Sequence, residues 1–335
     1  MVKLYVVIPC YNEEAVLEET ASRLKQKFTQ LSDRHRITDD SRIVFVDDGS
    51  RDRTWELIEQ FHAQNDLFMG VKLSRNRGHQ NALLAGLYSV RNMADAVVSM
   101  DADLQDDIDA LDQFLDEFSK GAEVVYGVRS SRKKDSFFKK FSAEGFYRLM
   151  NFMGADIVFN HADYRLLSNR ALNGLFEFKE VNLFLRGIVP MIGYQSSKVY
   201  YERSERFAGE SKYPLKKMLA FAFEGITSLT IKPIRLIISL GCMMLLVSVG
   251  MLVYFLVQHA LGHTVAGWTS LIVSIWAIGA LQLISIGVIG EYVGKVYLET
   301  KERPRFLIEQ FLKDETAQER EDIQGQVMSE KMRKG

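Results

Sequence analysis

The chain has 335 residues, 47% of them hydrophobic and 25% charged, and its 42 Lys+Arg against 43 Asp+Glu leave a formal net charge of -1. That balance supplies no pull toward nucleic acid, and the apolar content excludes a disordered or collagen-like chain. Only two cysteines are present, Cys10 and Cys242, which excludes a disulfide framework and a cysteine-rich zinc site.

In chain order, β-rich runs fall at Leu4–Ile8, Ile43–Val46, Gly70–Leu73, Ala96–Met100 and Glu123–Tyr126. Helix-length segments lie between them: Glu14–Leu31, Thr54–Gln64, Gln80–Arg91 and Ile108–Ser119. The first places Val16, Leu17, Leu24, Phe28 and Leu31 on one side, at helical spacing. Repeated strand–helix alternation predicts an α/β fold, a parallel sheet with helices on both faces. Ligands then bind beyond the carboxyl ends of the strands. No GxGxxG follows the first strand and no GxxxxGK[ST] occurs anywhere, so neither a dinucleotide fold nor a P-loop is supported.

Three polar clusters fall on that carboxyl edge. The first strand ends in Pro9-Cys10-Tyr11-Asn12-Glu13-Glu14, the second in Asp47-Asp48-Gly49-Ser50, the fourth in Asp101-Ala102-Asp103-Leu104-Gln105. Crowded carboxylates repel, and a divalent cation relieves the repulsion. Two Asp at i and i+2 beyond a strand can share one such ion, which can also bridge a diphosphate leaving group. Each cluster alone is weak. Asp107-Ile108-Asp109 is a second D-x-D, assigned to a helix start, and Asp-Asp-Gly-Ser also reads as a plain turn. The weight lies in the common register.

Toward the C-terminus, no Asp, Glu, Lys or Arg occurs from Leu236 to Gly290, a run of 55 residues. Two helices of about 20 apolar residues fit in it, read as Ile234–Val257 and Trp268–Ile289, broken by His259–Gly267. Lys212, Lys216, Lys217, Lys232 and Arg235 precede the first; Lys295, Lys301, Arg303 and Arg305 follow the second. The connecting loop has neither Lys nor Arg, so both flanks are expected in the cytoplasm, with the loop outside. A buried helical hairpin in a soluble domain is the alternative. The N-terminal LYVVIPC stretch is short and runs straight into polar residues, which does not read as a signal peptide. The expected division is a cytoplasmic catalytic domain over 1–231, a transmembrane hairpin over 232–298 and a charged tail over 299–335. Phe137–Met153 and Pro214–Leu229 mix cations with aromatics at helical spacing, as interfacial helices do; core-facing amphipathic helices are the alternative. After Arg305 the tail reads as a solvated helix or disordered.

These motifs resemble the family 2 glycosyltransferases, with their GT-A (Rossmann-like) nucleotide-sugar-binding fold. Pro9-x-Tyr11-Asn12-Glu13, Val46-Asp47-Asp48-Gly49-Ser50 and Asp101-Ala102-Asp103-Leu104-Gln105 carry the match. Further motifs are similar to the polyisoprenyl-phosphate glycosyltransferases, the bactoprenol glucosyltransferase and dolichol-phosphate mannose synthase group: Ser74-Arg75-Asn76-x-Gly78, Gly127-x-Arg129, Asp163-Tyr164-Arg165-Leu166-Leu167, Phe184-Leu185-Arg186-Gly187 and Arg206-x-x-Gly209-x-Ser211-Lys212-Tyr213. The resemblance covers about residues 3 to 305. The Gln-x-x-Arg-Trp motif of processive synthases is absent, which implies single-sugar transfer.

The resemblance implies inverting transfer of one sugar from a nucleotide sugar, with UDP-glucose or UDP-N-acetylglucosamine favoured, to undecaprenyl phosphate at the inner face of the plasma membrane. Pro9, Tyr11, Glu13, Val46 and Asp48 would frame the nucleotide, with Asp101 and Ala102 beside it. Asp101, Asp103 and Gln105 would hold Mg²⁺ or Mn²⁺. Arg129, Lys139, Arg206 and Lys212 would meet phosphate oxygens. Asp103, Arg129 and Asp163 are the expected catalytic group, with Asp163 orienting a sugar hydroxyl, acting as base, or pairing structurally with Arg165. Arg132, Lys133 and Lys134 read as a solvated or lipid-facing cluster. No nucleic-acid partner is expected, and self-association through the hairpin stays open. The competing readings are a family 2 enzyme with a non-lipid sugar acceptor, a transport or flipping protein, and an inactive scaffold.

Overall fold

A computed structural model of the chain describes residues 1–130, 161–180, 185–202, 232–261 and 268–313. Strands β1 (Leu4–Cys10), β2 (Arg42–Asp47), β3 (Phe68–Leu73), β4 (Ala96–Ser99) and β5 (Val124–Arg129) form where the apolar runs predict them. The same holds for helices α1 (Leu17–Asp33), α2 (Thr54–Gln64), α3 (His79–Ser89) and α4 (Ala110–Ser119). Every residue of β1 is buried, as expected of a strand covered on both faces. Its side chains alternate. Leu4, Val6, Ile8 and Cys10 join the core under α1, α2 and α4, while Tyr5 and Val7 join the core under α3.

Packing on the α3 face is close. A Cβ on Gly86 would lie 2.4 Å from Val7 Cγ1 and 2.5 Å from Val46 Cγ2, so α3 sits directly on β1 and β2. On the other face Lys27 of α1 is buried, and its Nζ donates to Asp109 and Asp112, both at 2.6 Å. Burial opposes that charge, but the two carboxylates outweigh it and raise the lysine's pKa. The pair ties α1 to the start of α4.

The sheet is mixed, which corrects the all-parallel expectation. Among the described residues, β6 (His161–Ser168), β7 (Ser196–Tyr201) and β8 (Ile308–Leu312) complete an eight-stranded order β7-β5-β6-β4-β1-β2-β3-β8. β1, β2, β3 and β4 are mutually parallel. β6 inserts antiparallel between β4 and β5, and β7 pairs parallel with β5. β6 alternates, with Tyr164 and Leu166 in one core and Leu167 in the other. Its charged Asp163 and Arg165 disguise that pattern in the sequence. Short helices α5 (Asn169–Leu175) and α6 (Leu185–Met191) add Ala171, Leu172, Ile188 and Val189 to the α3-side core.

Two long helices follow, α7 (Lys232–Ala260, 29 residues) and α8 (Trp268–Thr300, 33 residues). Among the described residues one segment, Leu281–Thr300, is long and apolar enough to cross a membrane by length and composition, and none of it is buried. The tail then departs from expectation. Ile308–Leu312 is neither solvated helix nor disorder but strand β8, antiparallel to β3 at the sheet edge, with Ser74 N donating to Leu307 O at 3.0 Å. Phe306 and Phe311 pack on one core and Leu312 on the other. An edge covered in this way no longer offers β3 to another chain.

Candidate active site

The carboxyl ends of β1, β2 and β4 converge, and their loops are stitched together. Asp48 N donates to Cys10 O at 2.9 Å, Asn12 N to Ser50 Oγ at 3.0 Å, and Arg51 N to Asn12 Oδ1 at 2.9 Å. Glu13 N donates to Thr54 Oγ1 at 2.9 Å. Asp48 is buried, and its two oxygens accept from Arg77 N at 2.7 Å and Gly78 N at 2.8 Å. It therefore orders the loop after β3 and the entry to α3. Burial pushes its pKa up, although those two N–H groups oppose the shift. Gly49 lets the two loops touch: its φ is +67°, and a Cβ there would lie 2.6 Å from Asn76 N.

Of the residues expected to frame a nucleotide, Tyr11 is exposed and Glu13 half-buried in the loop after β1. Pro9 is buried within β1. Val46 is fully buried, and its side chain packs against α3 in the core on that face. The periodicity of β2 dictates this, because alternate residues must fill the α3-side core.

Beyond β4, Asp103 Oδ1 accepts from Gln105 N at 3.2 Å, and Leu104 adopts a left-handed φ of +57°. Thr20 Oγ1 holds Ala102 O at 2.9 Å. Burial raises the pKa of Asp101; His79 opposes the shift, and the negative Asp163 and Asp103 reinforce it. Among the described residues no three His, Cys, Asp or Glu side chains form a ready-made metal cage. Two hard carboxylates carrying excess negative charge nonetheless fit a divalent cation of the kind that takes its remaining ligands from substrate phosphates and water.

Asp163, at the start of β6, faces the same space. Its Oδ1 accepts from Arg165 Nη2 at 2.7 Å, and its Oδ2 lies 3.2 Å from Arg186 Nη2 on α6. Burial alone would raise its pKa, but Arg186, His79 and Arg165 outweigh it and hold the carboxyl well below the usual range. A group held ionised so firmly is a poor base and a good fixed negative charge.

His79 has no place in the sequence reading. As the first residue of α3 it puts Nε2 3.6 Å from Asp101 Oδ1 and 3.7 Å from Asp163 Oδ2. Burial lowers its pKa, but the two carboxylates raise it further. The only sequence signal was its position, directly after Gly78 at a helix start on the carboxyl edge. Asp106 was missed too. Burial, reinforced by Asp101, pushes its pKa up to about 6, and Tyr201 of β7 donates to its Oδ1 at 2.6 Å. Arg129 ends β5 beside Asp101, Asp106 and Tyr201. Lys139, Arg206 and Lys212, the Arg132–Lys134 cluster and both expected interfacial helices lie outside the described residues.

Comparison with known proteins gives the family. Residues 5–176 match the family model described as glycosyl transferase family 2. The chain belongs to that family. It is 52% identical over 306 residues to "Uncharacterized glycosyltransferase YkoT" of Bacillus subtilis, covering 91% of each chain. It is 36% identical over 308 residues to the bactoprenol glucosyl transferase of Shigella phage SfX, covering 91% of this chain and 98% of the relative. Among solved structures, a mannosyltransferase from Pyrobaculum calidifontis in complex with GDP-Man and Mn²⁺ aligns with TM-score 0.45 at 16% identity, covering 89% of this chain and 85% of its own. That likeness is too loose to bear on substrate or metal.

Proposed function

We propose that the protein transfers one sugar from a nucleoside diphosphate sugar to a polyprenyl phosphate at a membrane surface. The observation that carries this reading is the convergence of Asp101, Asp103, Arg129 and Asp163 on the carboxyl edge of one sheet. The family membership makes the reaction a glycosyl transfer. Relatives named bactoprenol glucosyl transferase, about a third identical along nearly the whole chain, favour a lipid phosphate acceptor and a glucosyl donor.

The membrane part supports the same acceptor. Along α7 and α8, Ile238, Leu246, Val253, Ile275 and Leu283 are each more than half exposed, an apolar surface that suits lipid and not water. We read both helices as a transmembrane hairpin with the catalytic domain and both flanks on the cytoplasmic side. The strongly apolar parts of both helices lie in the uncharged run, and the cations lie outside it.

In this scheme Asp101 and Asp103, with Gln105 beside them, would hold Mg²⁺ or Mn²⁺, which offsets charge on the donor diphosphate. The acceptor phosphate, with a second pKa near 6, is mostly ionised at neutral pH and needs no strong base. Its oxygen forms a bond to the anomeric carbon as the bond to the diphosphate breaks, inverting the configuration, and the nucleoside diphosphate departs. Arg129, together with Lys139, Arg206 and Lys212, would hold the anionic acceptor. Asp163, kept ionised, would fix a sugar hydroxyl. Tyr11 and Glu13, in the loop after β1, would frame the nucleotide.

The test uses full-length protein in detergent with undecaprenyl phosphate, Mg²⁺ or Mn²⁺, and a panel of nucleotide sugars. Lipid-dependent release of nucleoside diphosphate from one donor, absent in Asp103→Ala, is the expected result. Release that ignores the lipid would move the assignment to a non-lipid sugar acceptor, and no release from any donor would overturn it.

A further inference from the structure

The seven residues Asp101–Asp107 leave β4 through a turn that includes a left-handed Leu104, a conformation disfavoured for a side chain of that size. Something must hold the turn against relaxation. Three buried hydroxyls do so. Besides Thr20 on Ala102 O, Tyr164 OH donates to Asp107 O at 2.9 Å, and Tyr201 OH donates to Asp106 Oδ1 at 2.6 Å. The two tyrosine rings meet edge to face at 5.3 Å, and both are almost fully buried.

Tyr201 differs from the other two in what else it joins. It is the last residue of β7, in register with Arg129 of β5, and Ser130 N and Oγ both donate to its carbonyl, at 2.9 and 3.0 Å. The side chain of Arg129 lies against the same hydroxyl that binds Asp106. One phenol therefore connects the carboxylate loop with the arginine at the end of β5, and no sequence motif marks it.

We propose that Tyr201, acting through Asp106, is a positioning residue that sets the Asp101–Asp103 carboxylates and Arg129 at a fixed separation. The proposal rests on the reading of that loop as the metal and diphosphate site. Both residues are buried, and the role assigned to them is indirect. Their effect is to keep the turn from relaxing, so that the carboxylates meet their ligand already in place.

Tyr201→Phe keeps the ring and removes only the hydroxyl, and Asp106→Asn keeps the shape and removes the charge. Full-length variants in detergent are titrated calorimetrically with Mn²⁺ and uridine diphosphate, alongside lipid-dependent turnover and thermal unfolding. Each single variant is expected to bind the Mn²⁺–nucleotide about tenfold more weakly and to lose at least tenfold in kcat. The double variant is expected to be no worse than either single, as for two members of one device. A Tyr201→Phe protein that unfolds at a lower temperature yet binds and turns over like the parent would reduce the contact to a structural one and overturn the proposal. Additive losses in the double variant would overturn it as well. If the parent itself binds no Mn²⁺–nucleotide, the site reading fails first, and binding by the parent without lipid-dependent turnover separates that failure from this one.

Discussion

Asp163→Asn separates the buried ion pairing of that carboxylate from the sugar-binding role proposed for it. Arg165 is 2% exposed, and its one ion-pair partner among the described residues is Asp163, at 2.7 Å. Removing one member of a buried pair typically costs about 3–5 kcal/mol, because a charge is left uncompensated. Here an amide oxygen still accepts from Arg165, and Arg186, one-third exposed, recovers water. The expected loss is therefore near the lower end, about 3 kcal/mol. For a domain of about 150–250 residues that corresponds to a fall of roughly 6–12 °C in the unfolding midpoint, read by circular dichroism in detergent. Adding Arg165→Met removes the stranded charge and should restore most of that stability, while transfer activity stays lost because the carboxylate is still missing. The pH dependence follows from the lowered pKa. A carboxyl whose folded pKa lies below its unfolded value of about 3.9 contributes its full stabilisation at any pH above that value. It loses it only as pH falls through the folded pKa. Between pH 5 and 9 Asp163 should thus impose no limb on kcat. A limb in that range that vanishes in the Asn variant would make Asp163 the base, and an Asn variant as stable as the parent would refute the pairing argument.

Four further outcomes are expected. Gly49→Ala places a Cβ 2.6 Å from Asn76 N at a positive φ, so the loop feeding Asp48 must shift; nucleotide affinity should fall about tenfold in a binding titration. Gly86→Ala overpacks Val7 and Val46, which typically costs about 1–3 kcal/mol, and Val46→Ala in the same chain should recover part of it in a thermal melt. Cutting the chain after Arg305 removes β8 and bares the edge of β3, so aggregation by light scattering should rise and the unfolding midpoint fall. Chelation should abolish transfer, Mn²⁺ or Mg²⁺ should restore it, and Asp103→Asn should raise the metal concentration needed at least tenfold.

What the sequence determined by itself was local. Apolar runs such as Leu4–Ile8 and the face Leu17, Leu24, Phe28, Leu31 have a period that depends only on neighbours along the chain, so β1 to β5 and α1 to α4 were legible. So were the three polar clusters, because strand ends place them automatically on one edge, and the uncharged run that became α7 and α8. The tertiary structure decided whatever depends on a distant partner. β8 exists because Phe311 and Leu312 meet Val71 and Gly70, more than two hundred residues away; alone, the short Phe306–Leu312 stretch at the head of a charged tail names no partner strand. β6 slots between β4 and β5, turning the sheet mixed and delivering Asp163 to the site. His79, Arg186 and Tyr201 acquire their roles only when α3, α6 and β7 converge on the carboxylates, because burial and mutual charge, which set what each group can do, are properties of the assembled edge. The alternation of β2 likewise sends the Val46 side chain into the α3-side core, a placement that depends on a sheet covered on both faces.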